Sequence, residues 1–196
     1  MKFSHFDNIK ALYGRHASFA VWEPARGTPT SGTGDLDLFQ QPKVLRTLEQ
    51  LKTDTILFGL NISRALITED FANFHDGRGR SKDYKLRYAL EGTQIYGSYL
   101  TDVFKDVVEV DSAKFDRYLK DNPQVEKTQI EYLEAEINYV AGSAPPILIG
   151  MGGSAHKYLQ RHFGHSHKII KIPHYAMRNS KENYREQVLA TLAADL

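Results

Sequence analysis

The chain has 196 residues, 41% of them apolar and 25% charged, so it is long enough to bury one sizeable core and too apolar to be disordered. Lys and Arg number 25 against 24 Asp and Glu, a formal charge of +1, which excludes a strongly basic nucleic-acid coat but leaves room for a local basic groove. Cysteine is absent, which excludes disulfides, iron–sulfur clusters, zinc–thiolate sites and a thiol nucleophile.

No stretch approaches the roughly 20 apolar residues of a membrane span. Met1 to Ala11 lacks the apolar core and basic flank of a secretion signal. A cytoplasmic protein is expected, one domain over residues 1–196. Its first 40 residues read as an N-terminal arm and a flexible loop. Phe19-Ala-Val-Trp22 is short and apolar, a strand or a core anchor. Glu23 to Asp35 is rich in Gly, Pro, Ser and Thr and has no face to bury.

From Pro42 to Leu51, Val44, Leu45, Leu48 and Leu51 recur at helical spacing. Thr55-Ile-Leu-Phe58 ends in Gly59 and reads as a buried strand. A long polar loop over 61–80 follows, of a length that invites function. Ser81 is expected to cap a helix through Leu90. Ile95 to Val103 is a second strand. Helices are expected over 113–119 and 124–141, split by Asn122-Pro123. Pro146 to Ile149 is a third strand, 154–162 a helix, Lys168 to Ile172 a fourth strand, and 181–194 the last helix. This alternation predicts an α/β fold: a doubly wound, three-layer α/β/α domain whose four-stranded, mainly parallel sheet has helices on both faces.

Such sheets bind ligands beyond the carboxyl ends of their strands. The text there is Gly59-Leu-Asn61, Thr101-Asp102, Gly150-Met-Gly-Gly-Ser-Ala155 and Pro173-His-Tyr-Ala-Met-Arg178. An amide, a carboxylate, a glycine-rich turn and a histidine would therefore converge on one crevice. Each also has a plainer reading. Gly59 and Asn61 suit a turn, Asp102 a helix cap, and a lone strand-end histidine is commonly structural. Gly150–Ala155 has the form of a dinucleotide fingerprint, but no acidic residue ends the next strand. Its simpler use is to leave helix N–H groups near Gly152 and Ser154 open to a phosphate. His156, His162, His165 and His167 lack the carboxylates of a metal site, so no metal is expected. Arg78, Arg80, Lys82, Lys85 and Arg87 form either a solvated helix face or a phosphate-holding edge.

In this order the strand-end motifs resemble those of the uracil-DNA glycosylase superfamily over roughly residues 50 to 190. Gly59-Leu-Asn61 resembles its first motif, with Ile62 where proline is usual. Asp102 stands where the family reads a base edge, commonly with Asn. His174 stands at its last motif without the usual Pro-Ser. The resemblance implies that a flipped base is excised without metal or organic cofactor, with DNA as partner. It implies Asn61 and His174 as catalytic residues, Asn61 orienting water and His174 donating to the leaving base. Phe71 or Phe74 would stack the base, and Gly59, Asp102, Gly152 and Ser154 would complete the pocket. Arg64, Arg78, Arg80 and Arg178 would hold DNA, with Tyr175 and Met177 wedging the gap in the duplex. The departures at Ile62, at Asp102 and in the missing Pro-Ser after His174 point away from uracil as the target. Two other functions fit the same residues: nucleic-acid or nucleotide binding with chemistry lost, and a small-molecule enzyme holding phosphate at Gly150–Ser154.

Overall fold

A computed structural model of the chain describes residues 1–62, 67–105, 107, 109 and 111–196. Its centre is a five-stranded sheet ordered β1-β3-β2-β4-β5. The strands are β1 (Ser18–Phe19), β2 (Lys52–Asn61), β3 (Ser98–Phe104), β4 (Ile147–Met151) and β5 (Ile169–Ile172). β2, β3, β4 and β5 are parallel, in the positions the apolar runs predict, and β1 adds an antiparallel edge on β3. The expected count of four is therefore one too low. The extra strand comes from two residues, too short for any alternation to betray it.

Seven α-helices accompany the strands among the described residues: α1 (Phe3–Tyr13), α2 (Val44–Thr47), α3 (Asp83–Leu90), α4 (Ser112–Asp121), α5 (Pro123–Ala141), α6 (Gly153–Phe163) and α7 (Lys181–Asp195). α2 is one turn, not the ten-residue helix expected, because Leu51 already leads into β2. Ser81 does not cap α3 in the expected way. It stands two residues before the helix, where its Oγ accepts from the Asp83 N–H at 3.2 Å. α1, which the reading of an arm did not foresee, buries Phe6, Ile9 and Tyr13. The Gly/Pro-rich loop is tied to α3. The buried Arg87 guanidinium donates to the carbonyls of Glu23, Ser31 and Pro29.

Successive strand residues point to opposite faces, and the core divides accordingly. Ile56, Phe58, Tyr99 and Leu148 pack with residues of α1, α4, α5 and α6. Leu57, Leu100, Ile149 and Ile170 pack with residues of α3 and α7. The helices that follow the neighbouring strands β2 and β4 thus leave in opposite directions. That divergence opens a crevice at the carboxyl ends of these strands, where an open α/β sheet places its ligand.

Candidate functional site

The crevice encloses about 740 Å³ and is lined by all four parallel strand ends. β2 contributes Gly59 and Asn61, β3 Asp102, the β4–α6 turn Gly152 and Ser154, and the segment after β5 His174 and Tyr175. Asn73, Phe74, Arg78 and Arg80 enter from the long loop before α3. Most of the residues expected at the site are thus brought together. Phe71 is not. Its ring is fully buried against Phe6, Phe19 and Phe39, at centroid distances of 5.4, 5.7 and 5.0 Å, and belongs to the core. Met177 and Arg178 are exposed beyond the crevice lining. Arg64 lies outside the described residues.

Asp102 is the deepest polar group, only 3% exposed. Its Oδ2 accepts from Asn73 Nδ2 at 2.8 Å. Burial pushes its carboxyl up to about 7, against the opposing pull of the Asn73 hydrogen bond and the Lys105 charge. Lys105 sits behind it. The Lys105 ammonium donates to the Asp102 carbonyl at 2.7 Å and pairs with Glu136 at 2.7 Å, both side chains being buried. Tyr99 Oη donates to the other Glu136 oxygen at 2.8 Å. This chain of polar contacts fixes the end of β3 against α5. Neither Lys105 nor Glu136 carries a motif, so the network was beyond sequence reasoning.

Asn61 has a structural task that its motif does not announce. Its Nδ2 donates to the carbonyls of Val107 at 2.9 Å and Glu109 at 2.7 Å. The amide therefore ties the segment after β3 to the end of β2, which fixes its rotamer and commits both its hydrogens.

No known protein family matches the chain, and neither a curated protein nor a solved structure does so.

His174 is held in one tautomer. Its Nδ1 accepts from the Ala176 N–H at 3.1 Å, so in the neutral ring Nε2 carries the proton. Burial holds its pKa below the usual histidine value, which keeps the ring neutral at pH 7. Gly152 stands behind it at φ 92°, with its missing Cβ facing His174 Cβ at 3.2 Å. A side chain there would meet both a disfavoured backbone and the histidine.

The aromatic wall runs from His174 to Tyr175, stacked at 4.6 Å, and on to Phe74, edge-on to Tyr175 at 6.5 Å. Phe74 adopts φ 64°, unusual for a bulky residue. Its carbonyl accepts from Trp22 Nε1 at 3.1 Å, which helps hold the strained loop. Asn73, its neighbour, was not singled out from sequence. Its place between aromatics in the long polar loop was the available signal.

The lining is mixed in charge. Asp76, Asp83, Asp102 and Glu109 share it with Arg78, Arg80 and Lys82. Arg78 is bound to Asp76 at 2.7 Å. A uniformly positive cleft, the simplest sign of a phosphate track, is therefore not what these residues make. Among the described residues no group of three His, Asp or Glu side chains is placed for a metal. His162 instead contacts Glu126 at 2.8 Å. No described helix is long and apolar enough to cross a membrane.

Proposed function

We propose that the chain binds a nucleobase extruded from a DNA strand and hydrolyses its N-glycosidic bond. The observation that carries this reading is His174. A neutral imidazole, locked with its proton on Nε2 and lining a crevice with an aromatic wall, is a preorganised donor for charge developing on a leaving base. Phe74 and Tyr175 supply faces for stacking. Asp102 and Asn73 supply the polar edge that tells one base from another.

The resemblance to the uracil-DNA glycosylase superfamily supports the same reading, as does a crevice at the carboxyl edge of a parallel sheet. We read the two cores as the two helical layers of a three-layer α/β/α domain of that kind. The roles change in one respect. With its hydrogens committed to Val107 and Glu109, Asn61 shapes the site, and its Oδ1 is left to accept from a water. Arg80 and Lys82, at the crevice lining, are the cations available to a flanking phosphate.

The test is base release from single- and double-stranded oligonucleotides carrying uracil, hypoxanthine, xanthine or oxidised bases. Release from at least one, lost in His174→Ala, is expected. Binding of a base without release from any of them would leave a binding protein in place of an enzyme.

A further inference from the structure

Asn73 and Asp102 form a single hydrogen-bonded unit on the floor of the crevice, 7% and 3% exposed. The orientation of the Asn73 amide is settled by its partners. Nδ2 meets the His16 carbonyl at 2.7 Å and Asp102 Oδ2 at 2.8 Å, and a flipped amide would set oxygen against two oxygens. Both Asn73 hydrogens are thereby used. Asn73 Oδ1 and Asp102 Oδ1 remain, with no hydrogen bond among the described residues. Neither is a sealed atom of the core, and both side chains line the crevice. With Asp102 ionised, the unit therefore offers a ligand two acceptor oxygens and no donor.

Gly59 is part of the same device. A Cβ there would collide with Asp102 Oδ1, so the bare backbone of β2 is what lets the carboxylate lie along the floor. Lys105, donating to the Asp102 carbonyl, keeps the residue from withdrawing.

An acceptor-only floor selects by complementarity. A uracil-type edge has one N–H between two carbonyls, and those carbonyls would face unpaired oxygens. An adenine or cytosine edge has one donor beside a bare ring nitrogen. A guanine-type edge has adjacent donors, the ring N1–H and the exocyclic N2–H₂. We propose that the Asn73–Asp102 pair reads a base edge with two adjacent N–H donors, so that the crevice takes guanine or a guanine-derived lesion with that edge intact. This rests on the base-binding reading above and names its substrate class.

The deciding experiment is equilibrium binding of guanosine, inosine, cytidine and uridine to the wild-type chain, by calorimetry or dialysis at pH 8. Inosine is guanosine without the N2 amino group. Guanosine is expected to bind about tenfold or more tighter than inosine, because the amino group's acceptor is then left unpaired. Since the reading oxygen must be ionised and the carboxyl titrates at about 7, guanosine affinity should fall about tenfold from pH 8 to pH 6. Asp102→Asn should bring guanosine and inosine to within about twofold, with the melting temperature recorded to confirm folding. Equal binding of guanosine and inosine by the wild type, preference for uridine, or no nucleoside binding at millimolar concentration would each overturn the proposal. Base release from oligonucleotides is scored separately. Release without guanosine selectivity would sink this inference alone, and selectivity without release would sink only the chemistry.

Discussion

Asp102 Oδ1 occupies the space where a side chain at Gly59 would begin. Two strand ends that are neighbours in the sheet thus share one site atom for atom, since Gly59 and Asp102 are register partners across β2 and β3. Gly59→Ala should displace the carboxylate, lower stability by roughly 1–3 kcal/mol and cost more than tenfold in ligand affinity. The two effects should be coupled. In the background of Asp102→Ala the added methyl has room, so its cost in thermal or denaturant unfolding should shrink. Additive costs in that double-mutant cycle would contradict the contact.

The raised carboxyl of Asp102 gives stability a definite pH dependence. The native state keeps this proton up to about pH 7, whereas an unfolded aspartate releases it near 3.8. Between those values the native state binds more protons than the unfolded one. The contribution of Asp102 is therefore full below pH 3.8 and is lost as pH rises through 7. Asp102→Asn removes the titration while keeping an acceptor for Asn73. It should be more stable than wild type by about 2–4 kcal/mol at pH 8 and close to it at pH 4. Denaturant midpoints at the two pH values measure this, and an equal difference at both would refute it.

His174 as a neutral donor predicts a particular pH profile. If the imidazole gives a hydrogen bond without changing charge, base release should not fall between pH 7 and 8.5 for want of a protonated histidine. His174→Ala should lose roughly a hundredfold in the rate of release, and His174→Gln, which retains an N–H, should recover part of it. Nitrogen-15 spectra of the ring should find the proton on Nε2. A proton on Nδ1 would contradict the hydrogen bond from Ala176.

Asn61 separates shape from chemistry. Asn61→Asp is nearly isosteric but cannot donate to the Val107 and Glu109 carbonyls, and it adds a charge beside them. A loss of about 1–3 kcal/mol is expected. Hydrogen exchange should quicken in the segment after β3 while the centre of β2 stays protected. Unchanged exchange there would mean that the amide does not anchor this segment.

Lys105 and Glu136 carry a buried ion pair, and its halves should not be separable. Lys105→Met leaves a buried carboxylate without its partner and should cost about 3–5 kcal/mol. Adding Glu136→Gln should recover much of that loss, because the uncompensated charge is gone. Guanosine affinity in the double variant reports whether the pair also steadies Asp102. Thermal melts across the cycle would reveal independent, additive losses if the pairing were unimportant.

Local sequence determined a large part of this molecule. The runs at 55–58, 146–149 and 168–172 are short and rich in Ile, Leu and Phe, and each leads through a loop or turn to a helix. That is sufficient for a parallel sheet, and a parallel sheet is sufficient to bring Asn61, Asp102, Gly152 and His174 to one edge. What sequence could not decide are relations between distant side chains. Phe71 and Phe74 are three residues apart in one loop and both have positive φ, yet one ring fills the core and the other lines the crevice. β1 exists because Ser18 and Phe19 find β3, not because two residues favour extension. The Asn73–Asp102 unit spans 29 residues, the Asn61 tie to Glu109 spans 48, and the Lys105–Glu136 pair joins the end of β3 to α5. Their shared cause is desolvation. Once folding removes water, each buried polar group must take whatever partner the tertiary structure sets within reach, and no local pattern encodes that choice.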